Sequence, residues 1–283
     1  MTTQPSKLPT PDHAEHNAFF PSAFSLSQFT SSKSDLSGAD YAKPYRGKHK
    51  ILLIGADERY LPTDTGALFS TGNHPVETLL PMYHLHQAGF EFEVATVSGL
   101  MVKFEHWAMP NEDEAIVGLY NHYLPQFMRP RKLQDVVSQL TPDSEYAGVF
   151  IPGGHGALIG LPSSEAVAET LRWALANDRY VISLCHGPAA FLALSHGANP
   201  LQGYAICAFP DVADKQTPDI GYMPGQLTWF FGEQLQKMGL TLMNQDITGM
   251  VHKDRKVLTG DSPFAANALG KLAAEELLKA YVG

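Results

Sequence analysis

Residues 181–191 read VISLCHGPAAF: four mostly apolar β-formers run straight into Cys185, His186, Gly187 and Pro188, and an Ala/Phe/Leu helix-forming run begins at once. A strand handed directly to a helix is the joint of a βα unit. The same joint recurs on either side. Upstream, KILLIGA (50–56) is a continuous apolar run, the mark of a strand covered on both faces. HPVETLLPMYHLHQAG (74–89) follows as a helix, with Pro75 suited to its first position and Gly89 to its C-cap. FEFEVATV (90–97) and YAGVFIPGG (146–154) supply the next strands, and YVISLC (180–185) leads into the opening stretch. Downstream, YAICAF (204–209) and KVLTG (256–260) read as strands, with helices over 163–177, 187–196, 224–238 and 262–281. This alternation predicts an α/β fold, a doubly wound and mostly parallel sheet with helices on both faces.

Two stretches stand outside the rhythm. Residues 1–48 are rich in Ser, Pro, Thr and Lys but keep Phe19, Phe20, Phe24 and Phe29, so they read as an N-terminal arm packed on the core or on a partner. Residues 49–283 form the α/β domain, with 98–145 expected as an inserted small second lobe carrying Phe104, Trp107 and Tyr120.

Lys+Arg 20 against Asp+Glu 29 gives a net charge of -9, which argues against a dedicated nucleic-acid surface. Cys185 and Cys207 are the two cysteines and form no disulfide framework. The N-terminus lacks a basic segment followed by an apolar one, and no apolar run approaches the ~18 residues of a membrane helix. The expectation is a cytoplasmic chain with no membrane partner.

In a parallel sheet, reactive groups collect at the carboxyl ends of the strands. Cys185 sits at such an end, where a sharp turn lifts a nucleophile clear and a helix start favours thiolate. The paired glycines Gly153 and Gly154 of IPGGHG let backbone N–H groups approach a substrate, as an oxyanion hole requires. Glu77 lies in the first turn of the 75–88 helix, just beyond the first strand. Each has a plain structural alternative: a buried strand-end thiol, a turn, an acid complementing a helix dipole. Their shared edge favours a site.

ISLCHGPAAFL, FIPGGHGALIGLP, STGNHPVETLLP and FPDVADKQTP together resemble the ThiJ/PfpI superfamily, and within it the long, heat-inducible HchA-type branch of chaperones, glyoxalases III and protein/nucleotide deglycases. The likeness runs over nearly the whole chain and implies a flavodoxin-like core related to class I glutamine amidotransferases. It implies Cys185 as nucleophile, His186 beside it, Asp214 as the acid of the triad and Glu77 as a carboxyl sharing a proton with the thiolate. It also implies an oxyanion pocket from Gly154 and the His186 N–H. Spacing alone leaves Asp211 as a rival to Asp214.

His86, Glu91 and His122 make a plausible zinc set with an open position. Twelve histidines are scattered through the chain, and His84 and His106 are rival ligands. The resemblance implies such a site, but its third ligand falls on Tyr123, one residue or roughly 100° of helix from His122.

The expected function is a cysteine-dependent stress enzyme that converts methylglyoxal or glyoxal to lactate or glycolate without glutathione. The same attack would remove early glyoxal adducts from proteins and nucleotides. Catalysis would need no cofactor, with zinc an additional ligand. A homodimer and unfolded client proteins are implied by the resemblance. Rival readings are a cysteine peptidase or amidase, and a non-catalytic holding chaperone using the aromatic arm and inserted lobe. An amidotransferase fits less well, because HKDRK (252–256) offers His252 and no neighbouring Glu.

Overall fold

The computed structural model describes residues 4–283, so the first three residues of the expected arm lie outside the described residues. The arm forms two short strands, β1 (Thr10–Pro11) and β2 (Ala18–Phe20), and helix α1 (Ala23–Phe29). It lies along its own chain. The Ser22 N–H donates to the Gly221 carbonyl at 2.8 Å, Tyr41 Oη meets His84 Nδ1 at 2.7 Å, and Tyr45 stacks on Phe90 with centroids 4.6 Å apart.

The chain then runs through β3 (Lys50–Gly55), β4 (Tyr60–Pro62), β5 (Leu68–Ser70), α2 (Pro75–Gln87), β6 (Phe92–Thr96), α3 (Glu114–Met128), β7 (Arg131–Lys132) and α4 (Leu133–Val137). There follow β8 (Tyr146–Ile151), α5 (Glu165–Ala176), β9 (Tyr180–Leu184), β10 (Ala205–Ile206), α6 (Asp211–Asp214), α7 (Phe231–Lys237), β11 (Thr241–Leu242), β12 (Val251–Asp254), β13 (Val257–Gly260) and α8 (Ala266–Tyr281). The seven-stranded central sheet has the order β12-β13-β9-β8-β3-β6-β7 and is parallel except for β12. This is the doubly wound sheet expected from the sequence.

Burial explains why its strands are uniformly apolar. Ile51 and Leu53 of β3 join the cluster under α2, α3 and α8, whereas Leu52 and Ile54 join the cluster under α5 and the 187–195 segment. A strand dry on both faces has no polar alternation to keep. Helices α2 and α8 approach closely at Gly270, where a Cβ would stand 2.8 Å from the His84 ring and 2.9 Å from the Pro81 Cα. The order of strands reverses at β3, so the crevice beyond the carboxyl ends of β3 and β8 is the topological switch point.

Three expectations are corrected. Segment 98–145 does not stand apart as a second lobe: β7 extends the central sheet beside β6, and Ile116, Leu119, Tyr123 and Phe127 of α3 join the core under α2. The smaller unit is instead a four-stranded sheet, β1-β2-β5-β4, that the arm builds with residues 60–70. YAICAF does not enter the central sheet, because β13 occupies the place beside β9. Only Ala205–Ile206 pairs, with β11, while the Cys207 N–H is satisfied by Thr259 Oγ1 at 2.8 Å. The 224–238 helix shrinks to α7, since Leu227 bridges to Thr63 and holds the preceding segment extended. No helix among the described residues is long and apolar enough to cross a membrane.

Candidate active site

Cys185 is the first residue beyond β9 and has φ 56°, a left-handed conformation that side chains with a Cβ rarely adopt. Two backbone hydrogen bonds hold it there: the Cys185 N–H donates to the Gly260 carbonyl, and the Cys185 carbonyl accepts from Phe209, both at 2.9 Å. A strained residue persists only when its surroundings over-determine it, as at a nucleophile elbow. Residues Gly187–Ser195 continue as 3₁₀ turns rather than the α-helix expected. Gly187 is required at the start, because a Cβ would approach the Ile151 carbonyl to 2.5 Å and the Pro152 carbonyl to 2.9 Å.

The Cys185 Sγ lies 3.3 Å from His186 Nδ1, and His186 Nε2 lies 2.9 and 3.1 Å from the two Asp214 oxygens. An Nε2–H donated to Asp214 leaves Nδ1 free to accept the thiol proton. The rivalry between acids is resolved by their partners. Asp214 is fully buried against His186, whereas Asp211 accepts the Gly232 and Glu233 N–H groups at 3.0 and 2.8 Å and caps α7. Burial opposes ionisation of Asp214, but the imidazoles of His186 and His155 hold its pKa well below the usual carboxylate range.

Glu77, in the first turn of α2, is 1% exposed and faces Cys185. Burial pushes its pKa well above the ordinary value, although the Cys185 thiol and the Gly154 N–H oppose the shift. Burial, then Glu77, push the Cys185 thiol up, opposed by the His186 N–H. Two acids so close and so dry do not both ionise; they share protons. The paired glycines leave the room: a Cβ on Gly153 would overlap Glu77 and stand 2.8 Å from the Cys185 Cβ. Gly154 has φ 97°. A thiol flanked by an imidazole, a protonated carboxyl and backbone N–H donors is equipped to add to a carbonyl carbon.

Several residues that sequence reasoning missed complete the surroundings. His155 Nε2 lies 3.0 Å from Asp214 Oδ1, and its ring lies 3.9 Å from that of His186, so one carboxylate holds two imidazoles. Burial, then His186, lower the His155 pKa and keep it neutral. It lies within the quoted IPGGHG motif, whose only titratable side chain it is. Buried Glu105 accepts from Thr71 Oγ1 at 2.6 Å. His74, Trp107 and Tyr222 close the same side of the site, and no local signal marks them.

The second constellation lies on α2, the turn before β6, and α3. Ligand atoms of His86, Glu91 and His122 all fall within 4.8 Å of one another. The Tyr123 hydroxyl donates to Glu91 Oε2 at 2.8 Å and lies 3.0 Å from His86 Nδ1. Burial, then Glu91, raise the Tyr123 pKa, so it remains a phenol there. The rivals lie elsewhere: His84 is held between Tyr41 and Asn267, and His106 packs beside Phe104 and Tyr120.

The DJ-1/PfpI family profile matches residues 68–276. The chain is 72% identical over 283 residues, the whole of both chains, to "Protein/nucleic acid deglycase HchA" of Escherichia coli O1:K1 / APEC. The same identity and coverage hold for the protein of that name in Shigella boydii serotype 18. Among solved structures, Rapid Encystment Protein from Francisella tularensis superposes with a TM-score of 0.66 at 17% identity, covering 81% of this chain and 99% of that one. Glyoxalase III from Candida albicans gives 0.62 at 21%, covering 83% and 98%. At these identities the two structures show the shared fold.

Proposed function

The chain belongs to the DJ-1/PfpI family, and from that premise we propose that it is a protein and nucleotide deglycase and a glutathione-independent glyoxalase. The observation that carries this reading is the elbow that sets Cys185 between Glu77 and His186, on a chain alike over its whole length to deglycases. With methylglyoxal, the thiol proton passes to His186 Nδ1 as sulfur adds to the aldehyde carbon. The oxyanion, held by the Gly154 and His186 N–H groups, takes up the Glu77 proton and gives a hemithioacetal, leaving Glu77 as the carboxylate. Loss of the C1 proton and gain of one at C2, through an enediol, converts this to a thioester of lactate. Glu77 is the carboxyl placed to carry that proton. Water hydrolyses the thioester, frees lactate and restores the thiol, so one water is consumed per turnover. In a glycated amine, the same C1 carries nitrogen; sulfur displaces the amine and the later steps are shared. Cys185 is only 3% exposed, which favours a small carbonyl over the polypeptide backbone a peptidase must admit.

The test uses an early methylglyoxal adduct of N-acetylarginine with free dicarbonyl scavenged throughout. Release of N-acetylarginine faster than in Cys185→Ala supports deglycation; release at the spontaneous rate contradicts it.

The proposal extends to zinc held by His86, Glu91 and His122. The donor set suits it: burial lowers the His86 pKa and keeps its imidazole neutral, as ligation requires. A bound ion would tie α2, β6 and α3 together, and catalysis at Cys185 would not require it. A cytoplasmic homodimer that also holds unfolded clients completes the reading, supported by exposed Leu100, Met101, Met243, Ile247, Met250 and Phe264.

A further inference from the structure

Buried polar atoms without a hydrogen-bond partner are uncommon, and each calls for a reason. Among the described residues they include Glu77 Oε2, His74 Nδ1, Glu105 Oε2 and Trp107 Nε1: Glu77 faces Cys185 and Glu105, His74 lies near His155 and His186, and Trp107 packs on His74. His74 caps α2 with its backbone carbonyl, which accepts from the Thr78 N–H at 3.0 Å, and donates its own N–H to the Gly153 carbonyl at 3.0 Å, while its side chain makes no capping bond. Its ring stands edge-on to Trp107 with centroids 6.4 Å apart. Trp107 stands edge-on to Tyr222 at 5.8 Å, Tyr222 lies 5.7 Å from His155, and His155 lies 3.9 Å from His186. Five rings thus form a continuous wall from the start of α2 to the catalytic imidazole. The indole also lines an outer groove of about 480 Å³ with Arg59, Tyr60 and His106, yet its Nε1 is buried.

We propose that the Trp107 Nε1–H and the His74 imidazole form a recognition subsite for the second carbonyl oxygen of a vicinal dicarbonyl whose aldehyde carbon is attacked by Cys185. This rests on the glyoxalase reading and names what its substrate must carry. Indole N–H is a donor only. Burial, then the nearby imidazoles of His155 and His186, push the His74 pKa down to about 3, so the ring is neutral and has a hydrogen bond to offer. The subsite is therefore uncharged, and the Asp214 carboxylate stands at the other end of the wall, against His155 and His186. Such a wall suits a neutral 2-oxoaldehyde. It disfavours a 2-oxoacid, because neither the indole nor the neutral imidazole offers a carboxylate a charge; Arg59 lines the outer groove, its guanidinium donating to the Phe104 carbonyl at 3.3 Å. A site built to bond a substrate oxygen discriminates against molecules lacking it, because its own donors are left unpaired.

The experiment compares wild type with Trp107→Phe, which keeps an aromatic ring against His74 and Tyr222 but removes the N–H. Methylglyoxal kinetics are measured beside competitive inhibition by propanal, which forms the same hemithioacetal linkage without a second oxygen. Loss of one buried hydrogen bond should lower kcat/KM for methylglyoxal by about ten- to a hundredfold, mainly through KM, with the propanal inhibition constant within about twofold of wild type. Glyoxylate should inhibit wild type weakly. Equal weakening of methylglyoxal and propanal would mean that the indole only shapes the pocket, and would overturn the proposal. So would an unchanged KM in a variant with normal melting. A wild type that does not turn over methylglyoxal overturns the glyoxalase reading and the subsite with it. Should Trp107→Phe fail to fold, His74→Leu is measured in the same way and judged by the same outcomes.

Discussion

Glu105 is fully buried, with Oε1 accepting from Thr71 at 2.6 Å and Oε2 without a partner among the described residues. Burial raises its pKa from 4.5 to about 7, although His155, Thr71 and Arg59 favour the ionised form. An acid whose folded pKa exceeds its unfolded value binds more protons when folded. Its contribution to stability is therefore fully present below pH 4.5 and lost as pH rises through about 7. At 1.36 kcal/mol per unit, complete ionisation costs the folded state about 3 kcal/mol. Glu105→Gln keeps the acceptor for Thr71 and removes the titration. Relative to wild type, the variant should gain about 2–3 kcal/mol on going from roughly pH 5 to pH 8.5. In a chain of this size that is of the order of 3–5 °C in Tm. Calorimetry of both proteins at the two pH values checks it. A Tm difference that does not change with pH, or one that favours wild type more strongly at high pH, refutes the reasoning.

Limiting iodoacetamide near neutral pH should label Cys185 first: burial raises both thiols, but His186 Nδ1, 3.3 Å from the Cys185 Sγ, can take its proton as it reacts, and peptide mass mapping should find Cys207, 0% exposed, unlabelled until the chain unfolds. Titration with Zn²⁺ should show His86→Ala and His122→Ala weakening binding by at least about a hundredfold and Tyr123→Phe by about tenfold. Unchanged affinity in His122→Ala would remove it from the set. His155→Leu should lower kcat by at least about tenfold through loss of the second hold on Asp214, with His155→Gln recovering part of it as an N–H donor; equal activity of both with wild type would show that Asp214 needs only His186.

The sheet was legible because its strands are dry on both faces and lie as unbroken apolar runs, and because Cys185, His186 and Glu77 sit at strand ends beside helix starts. What was hidden depended on distant partners. Asp211 and Asp214 share one turn, and distant partners separate them: the Gly232 and Glu233 N–H groups hold Asp211, and His155 and His186 hold Asp214. The helical periodicity of α3 is the same whether the helix belongs to a lobe or to the layer on the sheet, and the two-residue β7 that decides between them is too short to show a pattern. His74, Trp107 and His155 come together only through the wall of rings. The continuous helix expected over 187–196 is wound as 3₁₀ turns, a difference in hydrogen bonding that composition does not report.

The most direct measurement is lactate formed from methylglyoxal without glutathione by wild type and by Cys185→Ala, both confirmed folded by their melting curves. Wild type should turn over and the variant should fall to the uncatalysed rate, with a lactyl thioester on Cys185 of wild type seen by intact mass in a rapid quench. Lactate formed equally by both proteins would contradict it.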